Sequence, residues 1–329
     1  MEKLNLRKAY GEALVAEGKS NKDIVVLEAD LGKSTMSALF KDAYPDRYFE
    51  MGIAEQDMSS TAAGFALAGK IPFTGTFAVF AAGRAYDQIR CSVAIPRANV
   101  KICGSSCGLS DYGDGKTHQS VEDGNIIRAI PNMTVLNPCD AAEVTKMVRA
   151  MLQYQGPVYI RINRNDLPVF TPAEGDYQIG KIYPILDTAH PAGAAEGGGP
   201  APVCIFATGV MVSKSVEAAE LLKKEGIAVQ VVNVSTLKPL LKDEVLKYAK
   251  GRKAIVTAEE AVKTGGLGGT IASIILEDPA ALGETAIPLQ QVGIDDIFGT
   301  SARDYDELLE KYGLGAGDVY KAVKRALKK

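Results

Sequence analysis

The chain has no tryptophan and only two histidines, His118 and His190, in 329 residues. Its five cysteines (Cys91, Cys103, Cys107, Cys139 and Cys204) are an odd number in a large chain, which argues against a disulfide framework. The spacing of Cys103, Cys107, His118 and Cys139 matches none of the common zinc ribbons or fingers, so these read as buried or free thiols and no metal site is expected. No apolar run approaches the roughly 20 residues that cross a bilayer, which excludes a membrane helix. A net charge of −3 without a basic stripe or an acidic tail excludes nucleic acid as an obvious partner and disorder as an obvious state. The start, Met1-Glu-Lys-Leu-Asn-Leu-Arg-Lys8, is too charged for a signal peptide, and a cytoplasmic location is the default expectation.

What is present describes a globular α/β protein. Hydrophobic residues make up 47% and charged residues 23%, and the length suits two domains. Short β-branched runs read as buried strands: Ile24–Glu28, Val100–Cys103, Thr134–Leu136 and Val158–Arg161, then Val203–Ala207, Ala228–Val234, Ala254–Thr257 and Gln291–Val292. Helical patterns fall between them, over 55–70, 80–95 (stopped by Pro96), 141–154 with Asp140 as N-cap, 213–225, 242–250, 268–276 and 316–327. Strands alternating with helices imply mostly parallel sheets covered on both faces. Residues 170–203 change character, and 190–202 are mostly Pro, Gly and Ala. We therefore expect domains over 1–170 and 203–329, joined by a linker over 171–202 that carries a solvated His190.

Three stretches could carry chemistry. Met51-Gly-Ile-Ala-Glu-Gln-Asp-Met58 places the carboxylate Glu55 at the start of an apolar helix. Alone, it reads more readily as a helix N-terminal acid stabilised by the dipole. Thr76-Phe-Ala-Val-Phe80 places Phe77 and Phe80 on one helical face, suited to stacking on a flat heterocycle or to core packing. His118 closes the polar, Gly-rich loop from Gly104, beside Asp114, where it reads as a proton shuttle or as a surface histidine. Thr264-Gly-Gly-Leu-Gly-Gly-Thr270 lacks the Lys-Ser/Thr of a P-loop and reads as a tight loop and helix start.

In order and in kind these motifs resemble the C-terminal half of transketolase. They run with Arg7-Lys-Ala, Glu28-Ala-Asp-Leu31, Arg128-Ala-Ile-Pro-Asn-Met-Thr-Val135 and Asp140, then Val256-Thr-Ala-Glu-Glu260 with Gly265-Gly-Leu-Gly-Gly269. The resemblance implies a thiamine diphosphate-binding fold, in which a pyrimidine domain precedes a second α/β domain. It implies that Glu55 is the acid that hydrogen-bonds the pyrimidine ring nitrogen, so that the 4′-imino nitrogen can remove the C2 proton. Phe77 and Phe80 would line the pyrimidine pocket, with Asp30 close to the cofactor. His118 and Asp114 would contact the sugar, and Arg7, Ser34 and Arg164 would hold its phosphate.

The family also carries a Tyr near Gly83 and a His near Gly104, and both are missing here. Arg84-Ala-Tyr-Asp-Gln88 is similar to deoxyxylulose phosphate synthase, and the E1 β-subunits of 2-oxoacid dehydrogenases share the fold and the acid. These are alternatives, and a non-catalytic assembly subunit is a third. Gly113-Asp-Gly115 with Asn137 imitates the diphosphate and metal motif, but a loop precedes it rather than a strand, and Pro138 follows Asn137. The diphosphate-binding half is thus expected on a partner subunit. That partner would hold Mg²⁺ or Ca²⁺ and share the thiamine diphosphate, around a homodimer core within a heterotetramer.

Overall fold

The computed structural model describes residues 1–189, 201–278 and 287–328. His190 and the rest of the Gly-rich run to Pro200 lie outside the described residues. Among the described residues, no helix is long and apolar enough to cross a membrane.

Two sheets organise the molecule. The first has seven strands in the spatial order Thr236–Lys238, Thr134–Leu136, Val158–Ile162, Lys101–Ser105, Ile71–Phe77, Ile24–Glu28 and Tyr48–Glu50. All are parallel except Thr236–Lys238, which pairs antiparallel with Thr134–Leu136. The second has five strands in the order Leu289–Ile294, Ala254–Val262, Val203–Ala207, Val229–Asn233 and Tyr183–Asp187. Only its edge strand Tyr183–Asp187 runs antiparallel. The central strands Ile24–Glu28, Lys101–Ser105, Val158–Ile162, Val203–Ala207 and Val229–Asn233 are buried at every position, as parallel strands covered on both faces must be.

The helices form where the sequence caps them. Asp140 accepts from the Glu143 N–H at 2.8 Å and so starts Ala141–Gln153, while Glu143 reaches back to the Cys139 N–H at 2.8 Å. That helix packs on Leu6–Ser20, whose own N-cap is Asn5.

Two expectations are corrected, and one strand was not expected. The helix expected over 80–95 is broken into Ala78–Gly83, Tyr86–Gln88 and a π-helical turn Ile89–Ala94. Ala85, at φ −96° and ψ 12°, leaves helical geometry just after Gly83, a poor helix former. The stretch read as linker contains the strand Tyr183–Asp187, whose Pro184 is tolerated because the strand lies at a sheet edge. Finally, Thr236–Lys238 leaves the second half of the chain to complete the first sheet.

Candidate active site

In the first sheet the strand order reverses about Ile24–Glu28. The chain passes to Tyr48–Glu50 on one side, then returns to Ile71–Phe77 on the other. Ligands of parallel sheets bind outside the carboxyl ends of strands at such a reversal. Ala29 and Asp30 follow one of these strands, and Phe77 ends the next. Glu55 opens the helix Glu55–Leu67, reached from Tyr48–Glu50 through Gly52 at φ +66°.

These elements enclose a cavity of about 380 Å³ lined by Ala29, Asp30, Leu31, Ile53, Glu55, Phe80, Arg84, Thr117 and His118. The Glu55 side chain is 3% exposed, and its Oε1 accepts a hydrogen bond from Arg84 Nη1 at 2.9 Å. The Arg84 guanidinium carbon lies 4.2 Å from the centroid of the Phe80 ring. Phe77 stacks against Phe80 with centroids 6.1 Å apart and planes 16° apart, but it is buried and backs Phe80 rather than lining the cavity. His118 presents its ring edge-on to Phe80 at 5.5 Å, and its Nδ1 is 3.0 Å from Thr117 Oγ1. Asp30 takes a left-handed conformation at φ +59°, held by a 2.8 Å hydrogen bond from its N–H to Glu50 Oε1.

A second group of predicted residues forms a cationic corner outside that cavity wall. Arg164 Nη1 donates to Asp111 Oδ2 at 2.9 Å. Arg7 Nη1 donates to the carbonyl of Ser34 at 2.7 Å. Burial and the nearby Arg164 charge push the Arg7 pKa down, and burial pushes the Asp111 carboxyl up against the pull of Arg164. Asp114 is exposed in the same loop and adds to the rise at Asp111. Two neighbouring cations with one partly neutralising carboxylate form a setting that an added anion stabilises.

The Gly113-Asp-Gly115 loop and Asn137 are not brought together. Gly115, at φ +74°, packs on Ser301, whereas Asn137 is buried and donates to Thr208 Oγ1 at 3.0 Å. Among the described residues no group of three His, Cys, Asp or Glu side chains is gathered to hold a metal. Cys103, Cys107, Cys139 and Cys204 are buried thiols, and Cys91 is exposed. At Gly104 a Cβ would collide with the Tyr159 hydroxyl, which donates to Asp123 at 2.9 Å. Tyr159 thus crowds the space into which a histidine at that position would project.

Sequence reasoning missed three residues here. Arg84 stands at helical spacing from Phe80, a signal that was available. Asp111 gave none. Glu28 was noted only as part of a motif, yet it is fully buried, accepting hydrogen bonds from Thr35 Oγ1 at 2.9 Å and Ser37 Oγ at 2.5 Å while Oε1 has no partner. Burial pushes its carboxyl up to about 8, with the two hydroxyls opposing.

Comparison with known proteins places these features. The model of the transketolase pyrimidine-binding domain matches residues 2–169, and that of the transketolase C-terminal domain matches residues 200–319. The chain is 39% identical over 326 residues to a putative transketolase C-terminal section of Methanocaldococcus jannaschii, covering 98% of this chain and 96% of that one. It is 38% identical over 320 residues to a 6-deoxy-6-sulfo-D-fructose transketolase subunit of a Clostridium species, covering 97% and 93%. A solved structure described as a split gene transketolase, inactive beta4 tetramer, superposes with a TM-score of 0.85 at 41% identity over 99% of each chain.

Proposed function

This chain belongs to the transketolase family, and on that premise we propose that it is the pyrimidine-binding subunit of a two-chain transketolase that moves a two-carbon ketol unit between sugar phosphates. Residues 1–170 are the pyrimidine half and 203–329 the C-terminal domain. Thiamine diphosphate would be held between this subunit and a partner that would supply the diphosphate site and its Mg²⁺ or Ca²⁺. The observation that carries the reading is the convergence of Glu55, Phe80 and His118 on one cavity at the strand-order reversal. A buried carboxylate oxygen, a flat aromatic face and a polar rim suit a planar aminoheterocycle.

When bound, the cofactor supplies the carbon nucleophile and the electron sink for the transferred fragment. Glu55 holds a proton on a carboxyl oxygen and donates it to the pyrimidine ring nitrogen. Phe80, braced by Phe77, carries the ring, and Asp30 fixes the wall beside it. His118 moves a proton to or from the substrate hydroxyls at the cavity mouth, with Asp114 as a polar contact. Arg7, held in place by the Ser34 carbonyl, and Arg164 anchor the substrate's anionic end, with Ser34 beside them.

Reconstitution with the partner tests the donor. Consumption of a phosphorylated ketose supports the reading. Preference for pyruvate as donor would place the chain with the synthase or dehydrogenase halves, and preference for a sulfonated ketose would move the anion at Arg164 from phosphate to sulfonate.

A further inference from the structure

Arg84 has no role in the scheme above, yet it touches both groups assigned to the heterocycle. Its guanidinium lies over the Phe80 ring at 4.2 Å and donates to Glu55 Oε1 at 2.9 Å. A guanidinium is planar, carries its N–H donors in that plane and stacks on aromatic faces. An aminopyrimidine needs the same two contacts: one flat face against a ring, and one in-plane hydrogen bond to a carboxyl group. Building on the assignment of Glu55 and Phe80 as pyrimidine contacts, we infer that in the free chain Arg84 occupies the aminopyrimidine position as an internal stand-in for the ligand, and that cofactor binding exchanges the one for the other.

The two states exclude each other chemically as well as sterically. Arginine donates hydrogen bonds and accepts none, so beside Arg84 the Glu55 oxygen acts as an acceptor. Towards a ring nitrogen Glu55 has to donate. The hydrogen bond therefore reverses direction when the occupant changes. The exchange also answers a packing need. Glu55 is 3% exposed, and a buried carboxylate left without a partner is strongly unfavourable. Arg84 satisfies it while the heterocycle is absent and keeps the carboxyl aimed into the cavity.

The surroundings let Arg84 leave. Its side chain is 49% exposed, so the guanidinium reaches the cavity from the solvent side. It stands in the break between the helices Ala78–Gly83 and Tyr86–Gln88, where no regular helix fixes the backbone on both sides. Apart from its two chain neighbours, a Cβ at Gly83 would meet nothing within 4 Å, so the family's tyrosine position is open space.

An occupant that must be displaced lowers the apparent affinity of an incoming ligand by the fraction of time the site is open. The test uses the full chain without its partner and, as probe, the aminopyrimidine alcohol that forms one half of thiamine, titrated by ligand-observed saturation-transfer NMR. Arg84→Ala should bind this fragment about tenfold more tightly than wild type. Arg84→Lys keeps the charge but loses the planar face and should fall between the two. A single cooperative thermal melt for Arg84→Ala, at a lower midpoint because Glu55 loses its partner, confirms that the fold persists. Equal or weaker binding by Arg84→Ala overturns the inference. If wild type and Arg84→Ala then bind equally and Glu55→Gln abolishes binding, the pyrimidine pocket stands while the role of Arg84 falls. If neither binds the fragment, both readings fail.

Discussion

Removing Arg164 and removing its partner Asp111 should change substrate affinity in opposite directions. Arg164 Nη1 sits 2.9 Å from Asp111 Oδ2, and Arg7 lies close enough for the Arg164 charge to push its pKa down. A charge-assisted hydrogen bond contributes about 1.5–3 kcal/mol, roughly 10- to 150-fold in affinity. Arg164 already has one donor engaged with Asp111 and is 32% exposed, so the lower end applies. We expect Arg164→Ala to raise KM for a phosphorylated donor about 10- to 30-fold and to spare hydroxypyruvate, which has no phosphate. Asp111→Asn keeps the side-chain shape but removes the carboxylate that competes for Arg164. It should lower KM for the phosphorylated donor a few-fold and leave hydroxypyruvate unchanged. The assay is steady-state kinetics of the reconstituted enzyme with both donors. Equal damage to both donors in Arg164→Ala, or a rise in KM in Asp111→Asn, would refute the anion-site assignment and make the pair a structural bridge between the Gly104–His118 loop and the residues after Val158–Ile162.

Two further predictions concern the buried acids. Glu55→Gln keeps the shape of the side chain but cannot hold the donated proton, so turnover with the partner present should fall at least about 10²-fold; near-normal turnover would sink the assignment. Burial raises the Glu28 carboxyl from its ordinary value of 4.5 to about 8, so folding favours its protonated form. Its contribution to stability is complete below pH about 4.5, is lost progressively as the pH rises to about 8, and changes no further above that. Glu28→Gln is neutral throughout and should lack that loss, which is on the order of 3 kcal/mol between pH 5.5 and 8 at about 1.36 kcal/mol per pKa unit. Urea denaturation at those two pH values checks this, and parallel losses in both proteins would contradict it.

The central strands were legible because parallel strands buried on both faces leave continuous β-branched runs, as in Ile24–Glu28 and Val203–Ala207. Asp140 was legible as a cap because capping is local chemistry. The elements that were missed depend on distant partners. Thr236–Lys238 is three residues long and is a strand only because Thr134–Leu136 lies beside it. Tyr183–Asp187 carries a proline and is half-exposed, so its pattern reads as loop until Val229–Asn233 pairs with it. At the site, Glu55, Phe80 and His118 were found because each sits in a recognisable local motif. Arg84 and Asp111 act through neighbours 29 and 53 residues away; Arg84 shares a helical face with Phe80, but no short-range pattern marks Asp111. Phe77 shows the converse: it was placed in the right cluster, but helical spacing did not tell the ring lining the cavity from the one behind it.

The central claim is that this chain contributes the pyrimidine pocket and needs a second subunit for the diphosphate and metal site. Calorimetry of the purified chain with thiamine diphosphate and Mg²⁺, with and without the partner, measures it directly. Stacking on one ring and one hydrogen bond give weak binding, so the account predicts little or no metal-dependent heat from the chain alone and tight, Mg²⁺-dependent binding once the partner is added. Tight, metal-dependent binding together with turnover by this chain alone would contradict the account and make Gly113-Asp-Gly115 the diphosphate motif.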